Sequence, residues 1–144
     1  MVNFMKRIAI FSILLVAITL LSASCCSCRY SNKLVRPLAT TEWKLVQMGG
    51  REISAEGDSF TMVFHSDGTI TGVCDCNRLT ASYTTTPTRD LHIENIGTTR
   101  RLCPNHADEN EFWEMLSSVT HYEMDADIMI LLSNGRVAGM MKAK

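Results

Sequence analysis

Two hairpin signals constrain the fold of this 144-residue chain more than any other sequence feature. Asp67-Gly68 and Asn134-Gly135 each separate two short runs rich in β-branched, aromatic and other apolar residues. Such turns need a backbone with positive φ, and they connect neighbouring antiparallel strands. The predicted strands cover residues 43–48, 60–65, 69–73, 79–84, 91–96, 98–102, 128–132 and 136–141.

One segment has helical periodicity instead. Residues 105–118, opened by Pro104 or Asn105, are predicted to form one amphipathic helix. The apolar positions are Ala107, Phe112, Met115, Leu116 and Val119. The acidic positions, which we expect on the solvated face, are Asp108, Glu109, Glu111 and Glu114. The pattern therefore favours an antiparallel sheet curled around or against a single helix.

The N-terminus has the composition of an export signal. A basic start, Met1 to Arg7, precedes an apolar run over residues 8–23 and a group of small residues. The run has 16 residues and is shorter than the ~18 expected of a membrane span. An uncleaved N-terminal anchor is the alternative.

The residues before Cys25 are compatible with two cleavage routes. Small residues at positions 22 and 24 suit ordinary signal peptidase, which would give a soluble secreted protein. Small residues directly before a Cys also resemble a bacterial lipobox, although Ser22 stands where Leu is usual and Leu21 lies one position earlier. We favour a lipoprotein that is held in the membrane by acyl chains, such as palmitate, on Cys25. The expected organisation is a lipoprotein signal peptide over 1–24, a tether over 25–37 and a folded domain over 38–144.

Charge and motifs narrow the function classes. The formal net charge is −1, which lacks the positive footprint expected of a nucleic-acid-binding protein. The sequence contains no Gly-x-Ser-x-Gly, His-Glu-x-x-His or phosphate-loop motif. The four histidines do not stand in a motif with a nucleophile. They are His65, His92, His106 and His121. We therefore predict no catalytic residue, no cofactor and no enzymatic activity.

Three segments follow one another in an order that is typical of one family. They are 38–45 with Gly49-Gly50, then 64–72 with Cys76-Asn77 and Tyr83, then 99–104 with Glu111, Phe112 and Leu116. In this order the chain resembles the META domain, or HslJ-like, family of bacterial envelope proteins. Asp75 and Ala81 stand where the family usually has Gly, and Cys74 is an additional thiol. The resemblance implies an α+β, mainly β fold, in which an antiparallel, partly open β-barrel carries one amphipathic helix.

The resemblance also carries expectations about function. Some members of the family are lipoproteins linked to heat-shock induction or to motility and secretion, and most have no established biochemical activity. Their architecture resembles that of pilot lipoproteins of secretion systems. We therefore expect a non-catalytic, monomeric envelope lipoprotein that is lipid-anchored at the outer membrane or cell surface. Its domain would be structural or bind an envelope protein partner in envelope stress or secretion.

A carrier of a lipid or small apolar ligand is the alternative function. In a carrier the large aromatic side chains would line a cavity inside the barrel rather than fill the core. The residues concerned are Trp43, Phe60, Phe64, Phe112, Trp113 and Tyr122.

The cysteines of the domain allow three interpretations. An exported protein meets an oxidising compartment, so a disulfide is the default, and the resemblance implies the pair Cys76–Cys103. Cys74 would then be either buried as a small apolar residue or able to exchange with Cys76. A zinc site formed by Cys74, Cys76, Cys103 and His106 is one alternative, and a labile redox pair Cys74–Cys76 is another. Cys26 and Cys28 of the tether would pair with each other or stay free.

Overall fold

A computed structural model describes residues 35–54, 57–103 and 106–144 of the chain. These ranges contain nine strands and one helix, α1, over His106–Ser118. The strands are β1 (Glu42–Met48), β2 (Arg51–Glu52), β3 (Thr61–Phe64), β4 (Thr69–Cys74), β5 (Asn77–Thr85), β6 (Leu91–Thr98), β7 (His121–Asp125), β8 (Ile128–Ser133) and β9 (Arg136–Ala143). Within the described ranges no helix has the length and apolar character needed to cross a bilayer. The predicted signal peptide, the predicted acylation site Cys25, and Cys26 and Cys28 lie outside them.

All nine strands belong to one sheet with antiparallel pairing. Their order is β6-β5-β4-β3-β1-β9-β8-β7, and the short β2 pairs with β1. Both predicted hairpins are confirmed, because β3 pairs with β4 and β8 pairs with β9. The turn residues Gly68, Asn134 and Gly135 have φ values of 85°, 50° and 77°. Positive φ at these positions is what the Asp-Gly and Asn-Gly signals predict.

The two edges of the sheet meet at one end. Asp90 and His121 form an isolated antiparallel bridge. Beside it, the Leu91 N–H donates to the Thr120 carbonyl at 3.0 Å, and the Tyr122 N–H donates to the Arg89 carbonyl, also at 3.0 Å. Beyond this bridge β6 and β7 form no ladder in the described ranges, and α1 lies against β6, β1 and β9. The predicted partly open barrel with one helix is therefore confirmed.

The interior of the curled sheet is filled by large side chains. Trp43, Phe60, Phe64 and Phe112 are at most 2% exposed. Phe60 on the sheet side and Phe112 of α1 pack edge to face, with ring centroids 5.5 Å apart. These four aromatic residues belong to the buried core. Trp113, by contrast, is 45% exposed on the outer side of the helix.

Two local predictions were wrong, and two short strands were not predicted. Residues 98–102 do not form a strand, since β6 ends at Thr98 and the following segment leaves the sheet. The short β2 and the edge strand β7 were not predicted, because a half-buried edge strand lacks a strict alternation of apolar and polar residues. Ala107, placed on the apolar face of the helix by its spacing, is exposed.

The topology separates two ends of the sheet. Strands β4 and β6 run in the same direction as β1, so the Asp75-Cys76 turn and residues 99–103 lie at the end where β1 finishes. We call this the disulfide end. Residues 35–41 enter at the opposite end, where the C-terminal Lys144 pairs with Glu42 through its Nζ at 2.8 Å.

Candidate functional site

The candidate site is built around a disulfide at one end of the sheet. Cys76 lies in the turn between β4 and β5, and it is bonded to Cys103 with a Cα–Cα distance of 5.7 Å. The structure thus contains the disulfide that the family resemblance implied. Cys76 is exposed, whereas Cys103 is only 8% exposed. The bond fixes the segment that leads into α1 to the end of the sheet.

The turn before the disulfide depends on an unusual backbone conformation. Asp75 has a φ of 50° and is 6% exposed. Glycine adopts positive φ at the least cost, and Asp and Asn tolerate it better than most other residues. This conformation explains why the family usually has Gly at this position and why Asp can replace it.

Asn77 holds the segment after β6 in place. Its Nδ2 donates to the Arg101 carbonyl at 3.1 Å and to the Glu109 carboxylate at 2.9 Å, and it lies 3.1 Å from Cys103 Sγ. Its Oδ1 accepts from Thr99 Oγ1 at 2.9 Å and from the Arg101 N–H at 2.8 Å. One buried amide side chain therefore takes the place of a strand partner for residues 99–103.

Glu109 is buried, so the prediction that it lies on a solvated face was wrong. The residue is 7% exposed, and both of its carboxylate oxygens lie within 3.0 Å of Asn77 Nδ2. It stands in the first turn of α1, where a negative charge is favoured by the helix dipole. Helical spacing alone could not reveal this burial, because the partner is on a strand 32 residues earlier.

Cys74 is fully buried beneath the same cluster. Its Sγ donates to the Glu109 carbonyl at 3.7 Å. Burial, followed by the nearby charges of Glu109 and Asp75, raises the pKa of the Cys74 thiol to about 12. The thiol therefore stays protonated, and Cys74 is the buried small residue that was predicted.

The two alternative cysteine assignments conflict with this arrangement. In this arrangement Cys76 is bonded to Cys103 and not to Cys74. Asp75, Cys76 and Cys103 place potential ligand atoms within 4.8 Å of one another. Both sulfurs are consumed by the disulfide, however, so neither is a thiolate that could bind zinc. The side chain of His106, the fourth predicted zinc ligand, lies outside the described residues.

The segment held by Asn77 presents an apolar side chain to solvent. Residues 99–103 form what we call the 99–103 loop. Arg100 and Arg101 are exposed in it, and Leu102 is 100% exposed. A surface pocket of about 320 Å³ lies between this loop and the first turn of α1, with Asn77 and Glu109 in its lining. The sequence contains this exposed loop as Arg-Arg-Leu directly before Cys103, but its residue types predict a strand over residues 98–102.

Two other surface pockets lie away from the disulfide. A pocket of about 310 Å³ between α1 and the sheet is lined by Met48 and Met115 and rimmed by Glu111 and Glu114. Beside it, Arg51 forms ion pairs with Asp108 at 2.6 Å and with Glu111 at 2.5 Å. A third pocket, of about 370 Å³, lies along β3, β4 and β5.

The described histidine contacts stabilise strand ends. His65 Nε2 is 2.7 Å from Thr71 Oγ1, and His121 Nδ1 is 3.5 Å from Asp90 Oδ1 at the edge bridge. Neither partner is a cysteine or a serine, and His92 is exposed on β6. These histidines therefore give no indication of catalysis.

Two solved structures resemble this fold. One is a DUF4847 family protein from Bacteroides vulgatus ATCC 8482, with a TM-score of 0.56 and 19% identity, over 74% of this chain and 93% of that chain. The other is a protein determined by NMR, with a TM-score of 0.57 and 19% identity, over 71% of this chain and 87% of that chain. At this identity the likeness concerns the fold alone.

Sequence comparison gives a more specific result. No curated protein matches the chain significantly. The META domain family matches residues 36–144, which include every strand, the helix and the disulfide. The chain belongs to the META domain family.

Proposed function

We propose that this protein is a non-catalytic envelope lipoprotein whose META domain binds a protein partner through the 99–103 loop. Acyl chains on Cys25 would hold the chain in the membrane, and the tether 25–37 would connect them to the domain. The partner would be an envelope protein that acts in envelope stress or secretion. The domain would act as a monomer and would need no cofactor.

A single observation carries this proposal. Leu102 is 100% exposed, although it lies on a loop that is fixed by a disulfide and by the side chain of Asn77. A large apolar side chain on a fixed loop loses little conformational freedom on binding, which is the usual advantage of a preorganised contact. Arg100 and Arg101 stand beside Leu102, and arginine is enriched among the residues that contribute most to protein interfaces.

The charges around Leu102 indicate what kind of partner would fit. Arg100 and Arg101 directly precede Leu102, in a protein that is otherwise slightly acidic. A matching surface would offer a small apolar pocket with carboxylates at its rim, because opposite charges guide association and reject wrong partners. Such a surface belongs to a folded protein rather than to a small apolar ligand.

A carrier function has less support. A carrier needs space for an apolar ligand inside the barrel, and the described interior holds packed side chains that include Trp43, Phe64 and Phe112. The pocket between α1 and the sheet is open to solvent and has two carboxylates at its rim, which suits an apolar ligand poorly.

Photocrosslinking in the native envelope tests the proposed docking loop. A photoreactive residue replaces Leu102 in one variant and Val137, which is 57% exposed on β9, in a control. We expect one discrete adduct from position 102, none of the same mass from position 137, and loss of the adduct when Arg100→Glu and Arg101→Glu are added. Equal adducts from both positions, or no adduct from position 102, would contradict the docking role.

Intact mass of the protein purified from its native membrane tests the anchor separately. Acylation predicts a mature chain that begins at Cys25 and carries the mass of the acyl chains. A mature chain that begins elsewhere and carries no lipid would refute the lipoprotein assignment without affecting the docking test.

A further inference from the structure

The two cysteine residues of the disulfide differ in their exposure to solvent. Cys76 lies in an exposed turn, whereas Cys103 is 8% exposed and packed beside Asn77. Thiol–disulfide exchange requires a thiolate to reach one sulfur while the other departs, so access selects which sulfur is attacked. An external thiolate can approach Cys76 far more readily than Cys103.

The environment of Cys103 contains opposing influences on a departing sulfur. Asn77 Nδ2 lies 3.1 Å from Cys103 Sγ, and the dipole of this amide group favours negative charge on the sulfur. The same amide also binds the Glu109 carboxylate, whose negative charge opposes the thiolate. The two influences oppose each other, so access decides the direction of attack.

Cys74 does not compete in this reaction. It is the third cysteine of the described ranges, and it is 0% exposed with its Sγ directed to the Glu109 carbonyl. Burial keeps the thiol protonated, and a protonated thiol does not attack a disulfide. A group added to Cys76 would therefore not be displaced by Cys74.

We propose that the Cys76–Cys103 disulfide is a site of S-thiolation, which low-mass thiols open at Cys76 to leave a mixed disulfide there and a buried thiol at Cys103. The thiolate forms a bond to Cys76 Sγ as the S–S bond breaks. The electron pair goes to Cys103 Sγ, which takes a proton from water. One disulfide replaces another, so this step needs no additional oxidant or reductant. A second thiolate of the same kind can then remove the added group as its own disulfide.

The modification would break the covalent bond that fixes the 99–103 loop. The hydrogen bonds between the loop and Asn77 would remain. Thr99 and Arg101 keep their hydrogen bonds to Asn77 Oδ1. The chemistry at Cys76 does not require a partner for the loop, so it can be tested independently of the proposed function.

Mapping the products of limited exchange tests this site. The oxidised full chain is incubated with reduced glutathione at native pH, quenched with iodoacetamide and analysed by peptide mass spectrometry. We expect glutathione on Cys76 in excess over Cys103 by more than about tenfold, with the carbamidomethyl group on Cys103. The variant Cys74→Ala should give the same ratio.

The same reaction in denaturing urea is the control for the role of the fold. Unfolding exposes both sulfurs, so the preference for Cys76 should fall to about twofold or less. Glutathione mainly on Cys103 or Cys74 in the native protein would overturn the proposal. An equal ratio of glutathione on Cys76 and Cys103 with and without urea would also overturn it. The absence of an adduct on the native protein, under conditions in which the unfolded chain reacts, would overturn it as well.

Discussion

Replacing Asn77 by alanine is expected to lower the free energy of unfolding by about 4.5–6 kcal/mol. Asn77 is 2% exposed, and its side chain connects β5 to three separate places in the fold. These are the backbone of Arg101, the hydroxyl of Thr99 and the carboxylate of Glu109. Alanine removes all of these hydrogen bonds at once and leaves a void at the disulfide end.

The magnitude follows from the kind of bond that is lost. A neutral hydrogen bond contributes about 1 kcal/mol net, and a bond to a charged group contributes about 1.5–3 kcal/mol. Asn77 makes three neutral bonds to Thr99 and to the backbone of Arg101, and it also binds the buried Glu109 carboxylate. A domain of this size has a total stability of about 5–15 kcal/mol, so the loss is a large share of it.

Urea unfolding of the oxidised protein, followed by tryptophan fluorescence, measures the effect. The matched control is Asn110→Ala, which removes the same side chain from an exposed position on α1 and should change stability by less than about 0.5 kcal/mol. The reasoning would be refuted by a loss below about 1 kcal/mol for Asn77→Ala, or by equal losses in the two variants.

Three further perturbations have defined outcomes. Removing the disulfide with Cys76→Ala and Cys103→Ala opens a loop whose ends are separated by 27 positions and should cost about 3.5 kcal/mol in urea unfolding, whereas no loss would show that the cross-link is not stabilising. Gly72→Ala should cost about 1–3 kcal/mol, because a Cβ there meets the backbone of β3, while Gly97→Ala, where the nearest atom is 3.4 Å away, should change little. Equal effects of the two glycine variants would contradict the contact. Hydrogen bonds from two neighbouring threonine hydroxyls, and then a histidine, hold the pKa of Asp90 below its usual 3.8. Its ionised form therefore favours folding above that pH, and this contribution is lost as the pH falls through the lowered pKa. Asp90→Asn should consequently flatten the acid side of a curve of melting temperature against pH, and an unchanged slope would count against this role.

Local chemistry explains why the hairpins could be predicted from the sequence. Asp67-Gly68 and Asn134-Gly135 determine their own backbone conformation, and the strands on either side are adjacent along the chain. The single helix was predicted for the same reason, because its apolar spacing repeats within a few residues. The barrel itself followed from the family resemblance rather than from any local pattern.

The candidate site could be predicted only in part. The resemblance implied the bond between Cys76 and Cys103, but the roles of Asn77 and Glu109 depend on contacts between residues 22 to 32 positions apart. No periodic pattern contains such information. The residue types of positions 98–102 predict a strand. The hydrogen bonds between the Asn77 side chain and the Arg101 backbone take the place of the pairing that a strand would need.

The central structural claim is that Asn77 and the disulfide hold the 99–103 loop in one conformation. Amide hydrogen exchange of Arg101 tests it most directly, because this N–H lies outside every strand and donates to Asn77 Oδ1 at 2.8 Å. We expect the Arg101 amide to exchange at least about 100-fold more slowly than in an unstructured peptide, and to lose most of that protection in Asn77→Ala. Exchange of the wild-type Arg101 amide at the rate of an unstructured peptide would contradict the account.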